Sequence, residues 1–129
     1  MANKIILADT SILIDFFRKT DKSNSVLLGL VKKGYSFKIS AITEFEIYSG
    51  ANKDQFPFWN ELLEKIEVLA FDKDVVKVAV ELNNALKRKR KQIDMADLFI
   101  AATEVNNKLP VARLNKKHFE RIDTLKIIP

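Results

Sequence analysis

The sequence predicts an α/β fold in three layers, with a central, mostly parallel sheet of about five strands covered by helices on both faces. Two patterns lead there. Short, continuous apolar runs of strand length alternate with longer stretches whose apolar positions recur at helical spacing, and such alternation builds parallel sheets buried on both sides. There is also no linker, repeat or low-complexity segment beyond one basic run, so the 129 residues are expected to form one domain, 1–129. A domain of this length buries about two-thirds of its unfolded surface.

The elements follow in order. Ile5 to Ala8 is an apolar run ending in Asp-Thr-Ser, which reads as a buried strand leading into a capped helix, with Asp9 at the strand's carboxyl end. From Ser23 to Gly34, Val26, Leu27, Leu30 and Val31 make a helical stripe, Ser23 to Ser25 offer caps and Gly34 a stop. Ser36 to Ser40 reads as a strand, Thr43 to Ala51 and Phe56 to Lys65 as helices, and Glu67 to Phe71 as a third strand. Asp72 opens a long helix with Val75, Ala79, Leu82 and Leu86 on one face, running into the basic residues Lys87 to Lys91. Asp94 caps a further helix that buries Leu98, Ala101, Ala102 and Val105. After a turn at Asn106-Asn107, Leu109 to Ala112 and Leu125 to Ile128 are the fourth and fifth strands.

Composition narrows the function. Hydrophobic residues are 47% and charged residues 30%, with three Gly and three Pro, which argues against disorder and fibrous repeats. The absence of cysteine excludes disulfides, thiolate zinc sites and a cysteine nucleophile, so any metal must sit on oxygen ligands. The apolar N-terminal run, interrupted by Asp9, is too short for a signal-peptide core or a spanning helix, and the expected location is the cytoplasm, away from membranes. A formal charge of +5 suits a polyanionic partner.

In open α/β sheets, sites gather outside the carboxyl ends of the strands. The acids there are Asp9, Glu44 and Glu46, Asp72 and Asp74, and Asp94 with Asp97, and Asn115 follows the fourth strand. Carboxylates converging in a cavity raise one another's pKa unless a cation neutralises them. Mg2+ or Mn2+ favours such oxygen-lined, partly hydrated sites and there promotes phosphodiester hydrolysis. Singly, each acid also has a purely structural account: Asp9 as an N-cap, Asp94 and Asp97 as a cap and a first-turn acid at a helix dipole.

Four segments together carry a resemblance. Leu7-Ala8-Asp9-Thr10-Ser11-Ile12-Leu13-Ile14, the stretch Ile39 to Gly50, Asp97-Leu98-Phe99-Ile100-Ala101-Ala102-Thr103, and Asn115-Lys116-Lys117-His118-Phe119 resemble, in order, the motifs of PIN-domain nucleases of the VapC toxin kind. In the second motif the functional glutamate lies three residues after the Thr and four before the Gly, which selects Glu46 over Glu44. Residues two apart on a helix point to nearly opposite sides, so only one of that pair should face the site. In the fourth motif the polar position falls on Asn115, and the resemblance spans nearly the whole chain. One position departs from the pattern: the family usually has Thr or Ser where this chain has Arg113. An Arg there can contact a phosphate, pair with an acid or disturb metal binding.

The resemblance implies a PIN-like fold and a hydrolytic endoribonuclease in which Asp9, Glu46 and Asp97, assisted by Asn115, hold Mg2+ or Mn2+. Asp9 and Asp97 would be direct ligands, Glu46 would bind a second ion or orient the attacking water, and Ser11 would support that water, with Asp94 nearby. It also implies the toxin role in a toxin–antitoxin pair: an RNA substrate, a homodimer and a cognate antitoxin presenting an Arg or Lys to the carboxylates. Two other readings stay open, a PIN nuclease of RNA maturation without an antitoxin and a non-catalytic RNA-binding module. A phosphoacceptor receiver domain is excluded, because it needs an acidic pair after the first strand where this chain has Ala8-Asp9-Thr10. Lys87 to Lys91 is either a solvated helix end or an RNA-backbone contact. His118, the only histidine, is peripheral, and Trp59 with Phe56 and Phe58 reads as core or dimer-interface packing.

Overall fold

The computed structural model describes residues 4–114. Its central strand is β1 (Lys4–Ala8), whose alternating side chains are buried on both faces. Ile6 and Ala8 pack on one side with Ile12, Leu27, Ile39 and Trp59, and Leu7 packs on the other with Leu86, Leu98 and Val111. A strand enclosed on both faces has no polar side to show, which is why its sequence is a continuous apolar run. Four helices, α1 (Thr10–Arg18), α2 (Val26–Lys32), α3 (Ala41–Gly50) and α4 (Phe56–Glu64), supply the first cluster. Two more, α5 (Lys73–Arg88) and α6 (Met95–Asn107), supply the second, so the three expected layers are present.

All strand pairs among the described residues are parallel, in the order β3-β2-β1-β4, with β2 at Tyr35–Ser40, β3 at Glu67–Leu69 and β4 at Val111–Ala112. The chain builds outward from β1 to β2 and β3, then returns through α5 and α6 to place β4 on β1's other side. That reversal makes the crevice beyond the carboxyl ends of β1 and β4 the place where a ligand site forms. The register fixes what meets there: Leu7 pairs with Val111 and Ala8 with Ala112, so Asp9 and Arg113 leave the sheet side by side. The Asp9 amide still donates to the Ala112 carbonyl at 3.0 Å.

Several boundaries differ from expectation. The helix expected from Ser23 is a short 3-10 turn (Lys22–Asn24) followed by α2, because Asp21 caps the turn and Ser25 caps the helix. The helix expected from Thr43 starts at Ala41, since Ser40 accepts the Thr43 amide at 3.0 Å. β3 and β4 are shorter than expected, and the Pro110 carbonyl accepts from the Leu7 amide without Pro110 itself having a proton to give. Asp94 occupies the N-cap position of α6, but its side chain makes no cap hydrogen bond, and only its carbonyl engages, accepting from Leu98 at 2.9 Å. The helix continues through Asn106 and Asn107 and turns at Lys108, which adopts left-handed geometry. Trp59 is core, 2% exposed and stacked on Phe17. The fifth strand expected at residues 125–128, and Asn115 and His118, lie outside the described residues. No helix among the described residues is long and apolar enough to cross a membrane.

Candidate active site

Asp9 follows β1 directly and serves as N-cap of α1. Its Oδ1 accepts from the Ser11 amide at 3.0 Å and from the Ser11 hydroxyl in a short contact. Ser11 has one hydroxyl proton, given to Asp9, and its oxygen accepts the Leu114 amide at 3.0 Å, which ties the exit of β4 to the start of α1. With 2% of its surface exposed, Asp9 keeps few water contacts. Burial therefore pushes its carboxyl pKa above the ordinary value, and the Ser11 hydrogen bonds and the Arg113 charge offset that only in part.

Arg113 joins the two aspartates. Its Nε lies 3.3 Å from Asp9 Oδ2 and its Nη1 3.3 Å from Asp97 Oδ1. The three side chains are 8%, 3% and 16% exposed, so this pairing is shielded from salt and water as a surface ion pair is not. Asp97 reaches it from the first turn of α6, whose buried stripe of Leu98, Ala101 and Ala102 fixes the rotation of the helix. Glu46 approaches from α3. Its Oε1 accepts from the Thr10 hydroxyl at 2.5 Å. Because that hydroxyl gives its single proton to the carboxylate, its 3.2 Å contact with Thr43 Oγ1 is completed by the proton of Thr43. The Ser40 hydroxyl in turn lies 3.4 Å from Thr43 Oγ1. A chain of three hydroxyls, two of them fully buried, thus ends on Glu46.

The arrangement sorts the acids of the sequence. Asp9 and Asp97 converge on one cation, and Glu46 is hydrogen-bonded to Thr10, the residue next to Asp9, without joining the two aspartates in a three-acid cluster. Glu44 points elsewhere: its charge acts on Tyr48, whose phenol pKa is raised by burial and then by Glu44 and Glu64. Asp72 caps α5, accepting from Val75 at 3.1 Å, and it follows β3 at the sheet edge, two strands away from β1. Asp94 is exposed outside the cluster. Sequence reasoning misses Thr10, Thr43 and Ser40, although a signal is there: Ser40, Thr43 and Glu46 are spaced three apart, which aligns them along one helix face.

Beside these residues a groove of about 460 Å3 runs over Thr10, Ser11 and Leu114, with Arg18 and Lys19 as its cations and Asp15, 3.5 Å from the Lys19 ammonium, as its one acid among the described residues. Glu46 also lines a smaller cleft of about 180 Å3 with Arg18 and Gln55. Among the described residues no group of three or more Asp, Glu or His is disposed to hold a metal ion. The aspartate pair nevertheless fits a cation, since both carboxylates address a single positive group. Mg2+ in particular needs only one or two carboxylates, with water and substrate oxygens completing its shell.

The sequence and the fold are similar to those of known proteins. Residues 6–125 match the model of the PIN domain. The chain is 35% identical over 118 residues to Ribonuclease VapC1 of Methanocaldococcus jannaschii, covering 91% of this chain and 80% of that protein. A DNA-bound VapBC from Salmonella typhimurium superposes with a TM-score of 0.84 at 23% identity, covering 98% of each chain, a likeness of fold. A toxin–antitoxin complex from Klebsiella pneumoniae gives 0.73 at 26% identity, covering 93% of this chain and 94% of that one. With the sheet order, the paired aspartates at its switch point and these matches together, the chain belongs to the PIN-domain family.

Proposed function

We propose that this protein, acting as one domain over residues 1–129, is a Mg2+- or Mn2+-dependent endoribonuclease and the toxin of a toxin–antitoxin pair. The observation that carries the proposal is the convergence of Asp9 and Asp97 on one cation at the carboxyl ends of β1 and β4. The kinship with a ribonuclease supports the reaction class, and the likeness to toxin–antitoxin complexes supports the partner. When bound, the divalent ion would activate water and neutralise charge on the phosphodiester.

The chain's own residues supply the rest. Asp9 and Asp97 would hold the ion, with Asn115 assisting. Glu46, fixed by Thr10, would take the proton of the attacking water, with Ser11 nearby to orient it. The water oxygen forms a new bond to phosphorus as the ester P–O bond breaks, and the leaving oxygen takes up a proton. Arg18 and Lys19 in the groove would grip the RNA backbone without reading its bases. The protein is proposed to work in the cytoplasm as a homodimer, restrained by an antitoxin that brings an Arg or Lys to the aspartates.

Incubation of the purified protein with structured RNAs, with and without Mn2+, tests this. Cleavage should require Mn2+ and vanish in Asp9→Asn and Asp97→Asn; undiminished cleavage by either variant overturns the assignment. The Arg113 ion pairs favour one second reading, an RNA-binding module, which RNA that is bound but left intact in Mn2+ would establish.

A further inference from the structure

Resting on the metal-dependent reading above, we infer that Arg113 is a built-in counter-ion that competes with the divalent ion for Asp9 and Asp97. Its guanidinium must leave the site before the metal can enter. Two carboxylates this close to the interior cannot stay uncompensated, and the chain compensates them itself with a cation that keeps its charge at every physiological pH. The forked guanidinium serves both acids at once, through Nε to Asp9 and Nη1 to Asp97, each at 3.3 Å. A divalent ion held by the same two carboxylates would need the space those nitrogens fill. A side chain of +1 and an ion of +2 a few ångströms apart in a poorly hydrated pocket repel strongly, so the two exclude each other.

The structure also provides a place for the displaced side chain. Arg113 stands where the chain leaves β4, and its neighbour Leu114 is half exposed and lines the 460 Å3 groove shared with Ser11, Arg18 and Lys19. Rotated into that groove, the guanidinium joins two other cations at the surface proposed to hold the RNA backbone. It changes from counter-ion of the acids to phosphate ligand. Arg113 therefore governs when the site accepts metal, and it acts by vacating the site.

The affinity of a site that is open only part of the time falls by the fraction open. If the open form is a minor state of the usual ~0.1–10% population, self-pairing weakens metal binding by about tenfold or more. Calorimetric titration with Mn2+ should show Arg113→Gln, which removes the charge and keeps much of the volume, binding at least about tenfold tighter than wild type. Arg113→Lys, a cation without the fork, should fall between. Because Arg113→Gln leaves two acids without their cation and can fail to fold, the wild-type chain supplies a second readout. The Arg113 Nε–H resonance should shift as Mg2+ saturates the protein. Equal Mn2+ affinities in wild type and Arg113→Gln, or an Arg113 resonance unmoved at Mg2+ saturation, overturn the inference and leave the metal-dependent nuclease standing. Metal binding by neither protein, with RNA cleaved in the presence of a chelator, overturns both.

Discussion

Replacing Thr10 with Val tests whether Glu46 is held in place by the hydroxyl chain. Valine matches threonine in shape and sits equally well at the first residue of α1, so the change removes one hydroxyl and little else. The interaction removed is the 2.5 Å hydrogen bond to the Glu46 carboxylate, together with the 3.2 Å approach to Thr43. Hydrogen bonds to a charged group contribute about 1.5–3 kcal/mol, and since Thr10 and Glu46 are both only part-buried, the lower end applies, about 1.5–2 kcal/mol. For a chain of this size that lowers the unfolding midpoint by about 4–8 °C. With Glu46 in its proposed role, displacing its carboxylate by an ångström costs up to about a hundredfold, so kcat should fall about 10- to 100-fold with KM little changed, and Thr10→Ser should restore it. The assay is a double-mutant cycle of Thr10→Val and Glu46→Gln, read by urea unfolding and by RNA cleavage. A coupling energy within about 0.3 kcal/mol of zero would refute the reasoning, as would full activity in Thr10→Val when Glu46→Gln is inactive.

Other consequences follow from burial and charge. Asp9 has its pKa raised by burial, so its contribution to stability is complete below its unfolded value and is lost as pH rises through the folded one. Asp9→Asn stays neutral and escapes that loss; its stability relative to wild type should be better at about pH 7 than at about pH 4, and a flat difference across that range would remove the argument. Trp59→Ala should cost about 3–5 kcal/mol in urea unfolding, because the indole is 2% exposed and packs against Phe17 and Phe58 at 5.1 Å each. α5 ends at Arg88 and Arg90 turns with positive φ, leaving Lys87 to Lys91 exposed around a helix end. If these cations meet the RNA, neutralising Lys87, Lys89 and Lys91 should flatten the dependence of log affinity on log salt by about 0.7 for each phosphate that no longer meets a cation, and an unchanged slope would remove the run from the RNA-binding surface.

The layers were legible because burial on both faces leaves a plain mark: Ile5 to Ala8 reads as an enclosed strand, and the stripe of α5 reads as a face to be buried, which the fold packs largely against α6. Helix starts were less legible, since Ser25 and Ser40 each compete with neighbouring hydroxyls for the cap and only geometry shows which oxygen reaches an amide. For the site, the resemblance to the PIN motifs selects Asp9, Glu46 and Asp97, whereas position at a strand's carboxyl end does not by itself separate Asp9 and Asp97 from Asp72 and Asp74. That separation depends on strand order, a long-range property set when β4 returns beside β1 and leaves β3 at the edge.

Arg113 shows why a departure from a motif is best read through its neighbours. In sequence it is a cation where a small hydroxyl is usual; in the fold, parallel register sets it beside Asp9 and the rotation of α6 sets Asp97 against its other nitrogen. A guanidinium placed by two independent elements between two nearly buried carboxylates supplies a charge that stabilises such a pair in the folded state. The same acids that are proposed to bind a metal for chemistry are therefore neutralised by a cation before it, and in this chain the sheet itself delivers that first cation. Loss of Arg113 would then lower stability and strengthen metal binding together. A protein whose Arg113 merely replaced the hydroxyl as spare surface charge would show neither effect, so the paired change separates the two accounts more sharply than either measurement alone.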